Sequence, residues 1–227
     1  MKLIKSISKI DKNLIIPKEM TSELAEEMGL HFGDGSMNCY KGKGFYQLRG
    51  HLTDDKDHYL TRIKPLYKQL FNLDVSLRDM PSTGVFGFQI WSDRLVVYKN
   101  KTLHLPMGKK TDFVVPLSII DNDIFSRSFL RGFFDTDGCL YIENKRGKPY
   151  PRIELGCTCK GFVKQLKDMI IRMGFRTSYY SENRAKYGWE TLHRISIKGN
   201  IMTKKWFKEI QPKNPKHLKK FDKLNLL

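Results

Sequence analysis

A chain of 227 residues that is 40% hydrophobic and 12% aromatic is long enough to bury one large core or two small ones, which excludes a disordered basic tail. Its 41 Lys and Arg against 24 Asp and Glu leave a net charge of +17, beyond the about 2–8 that solubility asks of a small domain, so a polyanion is the expected partner. No apolar run approaches the about 18 residues of a membrane span, and the opening MKLIKSISKI lacks the apolar core of a signal peptide, so no membrane role and an intracellular location are expected.

Residues 1–20 form a basic lead-in that reads either as an arm along phosphates or as a loosely packed segment, ended by Pro17 and by Thr21 or Ser22 as a helix cap. A helical stretch then runs to Asp34-Gly35. Beyond it the apolar period changes to two: Met37 and Cys39 alternate with Asn38 and Tyr40. Lys41-Gly-Lys-Gly44 turns the chain, and Tyr46 and Leu48 alternate with Gln47, Arg49 and His51, which predicts a hairpin with one apolar face. Helical spacing from Thr53 to Phe71 predicts a helix behind the sheet, kinked or broken at Pro65. A second hairpin spans 73–91, with Arg78 and Gln89 outward, and Asp93 is expected to cap a helix to about Lys101. Pro106, Gly108 and Pro116 break any regular element in 102–122, a linker expected to run over the surface.

The second half repeats the order. A helix over 123–137 precedes a hairpin with Tyr141, Glu143 and Lys145 outward, a turn at Arg146-Gly-Lys-Pro149, and Arg152 and Glu154 outward on the return. A helix over 160–173 ends at Gly174, strands over 175–182 and 190–198 turn Arg176, Ser178, Tyr180, Glu182, Arg194 and Lys198 outward, and Asn200 caps a helix carrying Trp206 and Phe207. The tail, 211–227, is basic and without a readable role. The four cysteines, Cys39, Cys139, Cys157 and Cys159, have neither disulfide nor zinc spacing and are expected as small buried thiols in a reducing compartment.

Two stretches on this pass resemble each other, ELAEEMGLHFGDG from Glu23 and SFLRGFFDTDG from Ser128. Gly29, Asp34 and Gly35 recur 103 positions later as Gly132, Asp137 and Gly138. Each stretch has a small residue at every fourth position: Ala25, Gly29 and Gly33 in one, Ser128, Gly132 and Thr136 in the other. Side chains at that spacing share a helix face, and small ones let a second backbone approach closely. Parallel packing through these faces places the Asp34 and Asp137 carboxylates side by side, where they repel unless a divalent cation is shared between them. The unpaired carbonyls of the last turns add hard oxygen ligands, and such a site suits metal-assisted hydrolysis of a phosphodiester.

These motifs resemble those of the single-chain, two-motif LAGLIDADG homing endonucleases, and the resemblance spans about residues 20–220. Against the nine-letter motif, Glu27–Gly35 keeps Gly29, Leu30, Asp34 and Gly35. Leu130–Gly138 keeps Leu130, Gly132, Asp135, Asp137 and Gly138. The eighth letter is the family's metal-binding acid and is present twice; the sixth, Phe32 in one copy and Asp135 in the other, is not catalytic.

The resemblance implies an α+β fold of two pseudo-symmetric αββαββα halves, residues 21–101 and 123–210, each a four-stranded antiparallel sheet backed by helices, together forming a saddle on double-stranded DNA. It implies a monomer that hydrolyses both strands across the minor groove, leaving short 3′ extensions. Mg2+ would serve as cofactor, with Mn2+ substituting and Ca2+ binding without cleavage. Asp34 and Asp137 would be metal ligands, aided by the Gly33 and Thr136 carbonyls. Lys198 matches the family's lysine at the end of the last strand, with His51 a weaker candidate near the site.

On the outer faces Asn38, Gln47 and Gln89 suit adenine, Arg49, Arg152, Arg176 and Arg194 suit guanine, and Glu143, Glu154 and Glu182 suit cytosine, with Tyr40, Arg78, Tyr141, Ser178 and Tyr180 beside them. Lys41, Lys43, Lys145, Lys148 and Lys186 in the turns suit phosphate. An RNA-binding intron maturase and a non-cleaving DNA-binding regulator use the same fold. Loss of an acid would favour the first, and an added helix-turn-helix, absent after residue 210, the second. An intein-borne form is disfavoured by Met1 and by the Asn225-Leu-Leu227 end.

Overall fold

The computed structural model describes residues 9–225, so the first eight residues of the basic lead-in and the last two of the tail lie outside it. The expected order appears twice. A short helix α1 (Lys9–Asn13) precedes α2 (Ser22–Gly33), β1 (Gly35–Tyr40), β2 (Lys43–His51), α3 (Lys56–His58), α4 (Lys64–Phe71), β3 (Arg78–Met80), β4 (Val85–Trp91) and α5 (Asp93–Val97). After α6 (Leu117–Ile120) come α7 (Asp123–Asp137), β5 (Gly138–Lys145), β6 (Lys148–Cys157), α8 (Lys160–Arg172), β7 (Ser178–Glu182), β8 (Leu192–Lys198), α9 (Asn200–Glu209) and α10 (Pro215–Asn225). Both sheets are antiparallel and four-stranded, in the order β1-β2-β4-β3 and β5-β6-β8-β7.

The local chemistry explains most boundaries. Thr21 caps α2 by accepting the Leu24 N–H at 3.2 Å, and Asn122 caps α7 by accepting from Ile124 and Phe125 at 2.9 and 3.1 Å. The hairpins turn at Lys41-Gly42 and Arg146-Gly147, all four with positive φ, the geometry that matches strand twist. Three expectations are corrected. The cap of α5 is Ser92, whose hydroxyl accepts the Leu95 N–H at 3.0 Å, while Asp93 instead accepts the Gly44 N–H. Gly199, not Asn200, precedes α9 as its cap. Pro65 breaks nothing: a wide turn over Tyr59–Ile63, closed by the Lys64 N–H on the Tyr59 carbonyl, joins α3 to α4 and absorbs the missing donor.

The expected surface linker is corrected in part. Leu103, Leu105, Phe113, Val115 and Ile119 are buried while Met107, Val114 and Leu117 are exposed, so the segment runs at the surface but is pinned to the core by these five side chains. Phe113 and Phe162 enclose Phe32 with Phe129, at ring distances of 5.3 Å from Phe32 to Phe113 and to Phe129 and 5.0 Å to Phe162. The sixth motif letter thus carries a side chain of the first half into the core of the second. Asp135, its counterpart, points the other way: it is buried with His58 of α3, Nε2 to Oδ2 3.8 Å, and accepts the Lys213 N–H at 2.8 Å.

The two motif helices meet backbone to backbone. A methyl group at Gly29 would overlap the Phe129 carbonyl oxygen and lie 2.8 Å from the Phe133 nitrogen; one at Gly132 would overlap the Glu26 oxygen and lie 2.8 Å from the Leu30 nitrogen. The contact is reciprocal, as a twofold relation between the halves requires. Gly29→Ala or Gly132→Ala is therefore expected to destabilise by roughly 1–3 kcal/mol or more, since a backbone cannot rotate aside as a side chain does. Urea unfolding checks this; an unchanged midpoint would refute the close contact.

Beside this seam the halves differ. Glu27 is fully buried with Lys99 and accepts hydrogen bonds from Tyr67 and Tyr46, whereas the second half has buried Leu130 and Trp206 at the corresponding places. Removing one partner of a buried pair strands the other charge. Glu27→Leu alone should cost about 3–5 kcal/mol, and adding Lys99→Met should recover most of it, measured by urea titration of the single and double variants.

Candidate active site at the helix seam

Asp34 and Asp137 are delivered by the seam. Asp34 is the C-cap of α2 and is half-buried; Asp137 is the last residue of α7 and opens to solvent. A methyl group built at Gly33 would touch the Thr136 side chain and come within 3.4 Å of the Asp137 carboxyl carbon, so the two motif ends abut. Asp34 Oδ2 accepts the Tyr59 hydroxyl at 3.1 Å, from the wide turn that Pro65 imposes. Among the described residues none donates a hydrogen bond to the Asp137 carboxylate.

A third carboxylate lies alongside. Asp55, buried ahead of α3, accepts the His51 N–H at 2.8 Å and the Asn214 amide and Lys216 ammonium at 2.7 Å each. These donors hold it ionised: burial opposes that, but Lys216, Asn214 and the His51 N–H bring its pKa below the ordinary value. The opposite holds for the motif acids. Burial, then Asp137, then Asp55 push Asp34 well above the carboxylate range, against the Tyr59 hydroxyl and Lys216. Asp137 rises to about 6, chiefly because the protein packed around its carboxyl displaces water despite one open side, with Asp55 adding and Lys110 and Lys216 opposing.

Lys110 and Lys216, like Asp55 and Tyr59, are not singled out by the sequence. Lys110, from the presumed linker, donates to the carbonyls of His31, Phe32 and Gly33 at 2.7, 3.0 and 2.9 Å and so closes the end of α2. Burial lowers its pKa to about 8 against the pull of Asp137 and Asp34. Lys216, from the tail, reaches the Thr136 carbonyl at 3.5 Å, while Asn214 and His217 take the Asp135 and Phe134 carbonyls at 2.8 and 3.1 Å, closing the end of α7. The segment after each half thus returns to cap the helix that opened it. A faint signal existed: the two lysines stand 106 positions apart, close to the repeat shift.

The residues present fit a divalent cation. Two carboxylates with raised pKa values await a positive charge, and the site offers oxygen rather than sulfur or nitrogen, as Mg2+ prefers. No group of three His, Cys, Asp or Glu side chains converges among the described residues, so waters or a phosphate would complete the coordination. The Gly33 and Thr136 carbonyls, expected as further ligands, each face a lysine ammonium here.

Residues 125–211 match the family model of the LAGLIDADG-like domain. The structure is similar to that of the homing endonuclease I-DmoI in complex with DNA and Mn, with a TM-score of 0.57 at 16% identity over 83% of this chain and 96% of that one. It is also similar to the LAGLIDADG homing endonuclease I-GzeII in complex with its DNA target, with a TM-score of 0.57 at 11% identity over 92% and 89%. The chain has the two-repeat LAGLIDADG fold. Among curated relatives it is 27% identical over 183 residues to a glutamine–fructose-6-phosphate aminotransferase of Methanocaldococcus jannaschii, covering 80% of this chain but 15% of that protein's length.

Outward from the LAGLIDADG helices, the expected base-reading residues share the outer sheet faces. Asn38, Tyr40, Lys43, Gln47, Arg49, Gln89 and Arg78 follow from the register of the first sheet, and Tyr141, Glu143, Arg152, Glu154, Arg194, Ser178, Tyr180 and Glu182 from that of the second. Arg176 precedes β7 and Lys186 lies in a short 3-10 turn. Two placements depart from expectation. Lys198 pairs with Arg152, three residues along β6 from Leu155, which faces Gly138; at about 3.3 Å per residue its row lies roughly 10 Å along the sheet from the row that follows Asp137, and β8 is two strands across from β5. Glu154 is 4% exposed beneath Arg152 and Arg194, at 3.1 and 3.3 Å, with the Tyr180 hydroxyl on it, so it orients arginines instead of meeting cytosine. His51 ends β2 exposed, its ring on Asp54 at 3.6 Å.

A carboxylate whose pKa rises on folding contributes stability that is present below its unfolded value and lost as pH climbs through the folded one. For metal-free protein, Asp137 should therefore weaken the fold between pH 3.8 and about 6. Asp137→Asn should raise stability at pH 7 by roughly 1 kcal/mol, after discounting for the open side of the group. Thermal melts with and without Mg2+ test this; a variant less stable than the parent without metal would contradict the electrostatic account.

Proposed function

We propose that this protein is a site-specific, metal-dependent DNA endonuclease that acts as a monomer and breaks both strands of a long, asymmetric duplex site. The observation that carries the reading is the pair of mutually repelling carboxylates at the ends of two helices in backbone contact, placed between two outward sheet faces on a chain of net charge +17. Asp34 and Asp137 would hold the divalent ion, Mg2+ with Mn2+ as substitute and Ca2+ binding without cleavage. When bound, the ion supplies Lewis acidity and an activated water for attack on phosphorus.

The chain's own residues do the rest. Lys110 and Lys216, one from each half, present ammonium groups beside the acids, where charge accumulates on each phosphate oxygen. Tyr59 orients Asp34, and Asp55 with Asn214 orients Lys216. The sheet faces supply base contacts and the turn lysines phosphate contacts. That I-DmoI and I-GzeII were solved with DNA supports duplex DNA as the partner. The presence of both acids favours cleavage over a maturase or a non-cleaving regulator.

Asp34→Asn and Asp137→Asn should each abolish double-strand cleavage of a duplex selected from a randomised library with Mg2+, while binding in Ca2+ survives. Lys216→Met should slow cleavage at least tenfold, and Lys198→Met should leave the rate of the bound complex within about threefold, consistent with its distance from the acids. Sequencing of the cut ends and single-turnover rates decide this. Undiminished cutting by either Asp variant would overturn the assignment.

A further inference from the structure

The outer faces of the two sheets share one lattice. Asn38, Phe45 and Trp91 pair across β1, β2 and β4, and Tyr141, Arg152 and Lys198 pair across β5, β6 and β8. In both sheets this row lies three residues from the row where a leucine, Leu48 or Leu155, faces the glycine that follows the motif acid. The positions are thus equivalent, yet the side chains differ in kind.

In the second half the row is charged. Arg152 is gripped by Glu143 at 2.9 Å and Glu154 at 3.1 Å and lies over the Tyr141 ring at 5.5 Å. In the first half it is aromatic: Phe45 lies 4.7 Å and Tyr40 6.5 Å from Trp91, ring to ring. These rings line a groove of about 480 Å³ with Gln47 and Lys109 on its rim. Trp91 and Tyr40 remain 46% and 59% exposed, large apolar areas on a face that is otherwise polar.

We propose that this aromatic groove is a thymine-reading subsite, enclosing the 5-methyl group of one thymine in the major groove, and that Arg152 reads guanine at the pseudo-symmetric position. The proposal rests on the DNA-binding reading above. The argument is one of chemistry: the major-groove edge offers a single apolar group, the thymine methyl, while guanine offers the paired acceptors that a pre-oriented guanidinium matches. Gln47, fixed by Ser36 at 2.8 Å and Gln89 at 3.1 Å, presents an amide beside the groove, and the exposed Lys109, paired with Glu190 at 2.7 Å, lines it and would exchange that carboxylate for the adjoining phosphate. Three residues at about 3.3 Å each, set against about 3.4 Å per base pair, place both subsites roughly three base pairs outward from the catalytic end of each sheet.

The test uses the full chain and binding alone. Duplexes are selected from a randomised library in Ca2+, and in the best one each thymine is replaced in turn by uracil, which lacks only the methyl group, and each guanine by 7-deazaguanine, which lacks the N7 acceptor. One thymine in the arm held by the first half should bind about fourfold more weakly as uracil, the worth of one buried methyl. That sensitivity should vanish in Trp91→Ala. At the matching distance in the other arm, 7-deazaguanine should weaken binding of the parent and not of Arg152→Gln. Uracil tolerated at every thymine, sensitivity persisting in Trp91→Ala, or a self-association of the chain that Trp91→Ala abolishes would each overturn the subsite while leaving duplex cleavage intact. No binding to any duplex would overturn the parent reading as well.

Discussion

The structure depends on two helix backbones touching at Gly29 and Gly132. No side chain larger than hydrogen fits at either point, because each glycine faces the other helix's carbonyl oxygen and amide nitrogen. From that contact the rest follows geometrically. Helices this close and roughly parallel end together, so Asp34, the cap of one, and Asp137, the last residue of the other, share one site. The strands that follow, β1 and β5, begin at the residue after each acid, so each sheet starts from the seam. A seam made of backbone tolerates no slack, which suits a site where two acids must share an ion.

The electrostatics of the seam run against stability and in favour of chemistry. Two carboxylates are held where each prefers to be neutral, and a third, Asp55, is kept ionised beside them by Lys216, Asn214 and the His51 amide. The fold stops short of neutralising the motif acids. It places ammonium groups on the helix carbonyls next to them, so the helix ends are satisfied while the acids keep an unmet demand for positive charge. A cation bound at such a site would relieve a strain that is already present, and the lysines are held beside the motif acids without being hydrogen-bonded to them.

Much of this was legible in sequence, and what was not has a physical reason. Periodicity located both motif helices, both sheets and the outward sheet residues, because alternation and helical spacing are local properties; it failed at β3, expected from residue 73 but formed only over Arg78–Met80. The acids were legible because they sit in a repeated motif. Lys110 and Lys216 were not: Lys110 lies in an irregular segment and Lys216 in the first turn of α10, and the position of each is set by tertiary packing, of Phe113 and Val115 in one case and of Asn214 and His217 in the other. Asp55 was hidden as an ordinary helix-start residue. Lys198 looked suitable because it ends a strand, but the register puts that end away from the acids. Glu154 shows the same limit, since alternation places it on the outer face without revealing the arginines that cover it.

The halves agree where geometry is shared and differ where it is not. At the seam both need glycine, so both keep it. Just beside it the buried Glu27–Lys99 pair of the first half stands where the second has Leu130 and Trp206, and the sixth motif letter is Phe32 in one and Asp135 in the other. Such complementary differences are open to a single chain, because a residue can change in one repeat without changing its counterpart. In a symmetric pair of identical subunits every substitution appears twice at the interface. The same freedom extends to the outer faces, where an aromatic row and a charged row occupy one lattice position, and an asymmetric partner is the natural complement of two faces that no longer match.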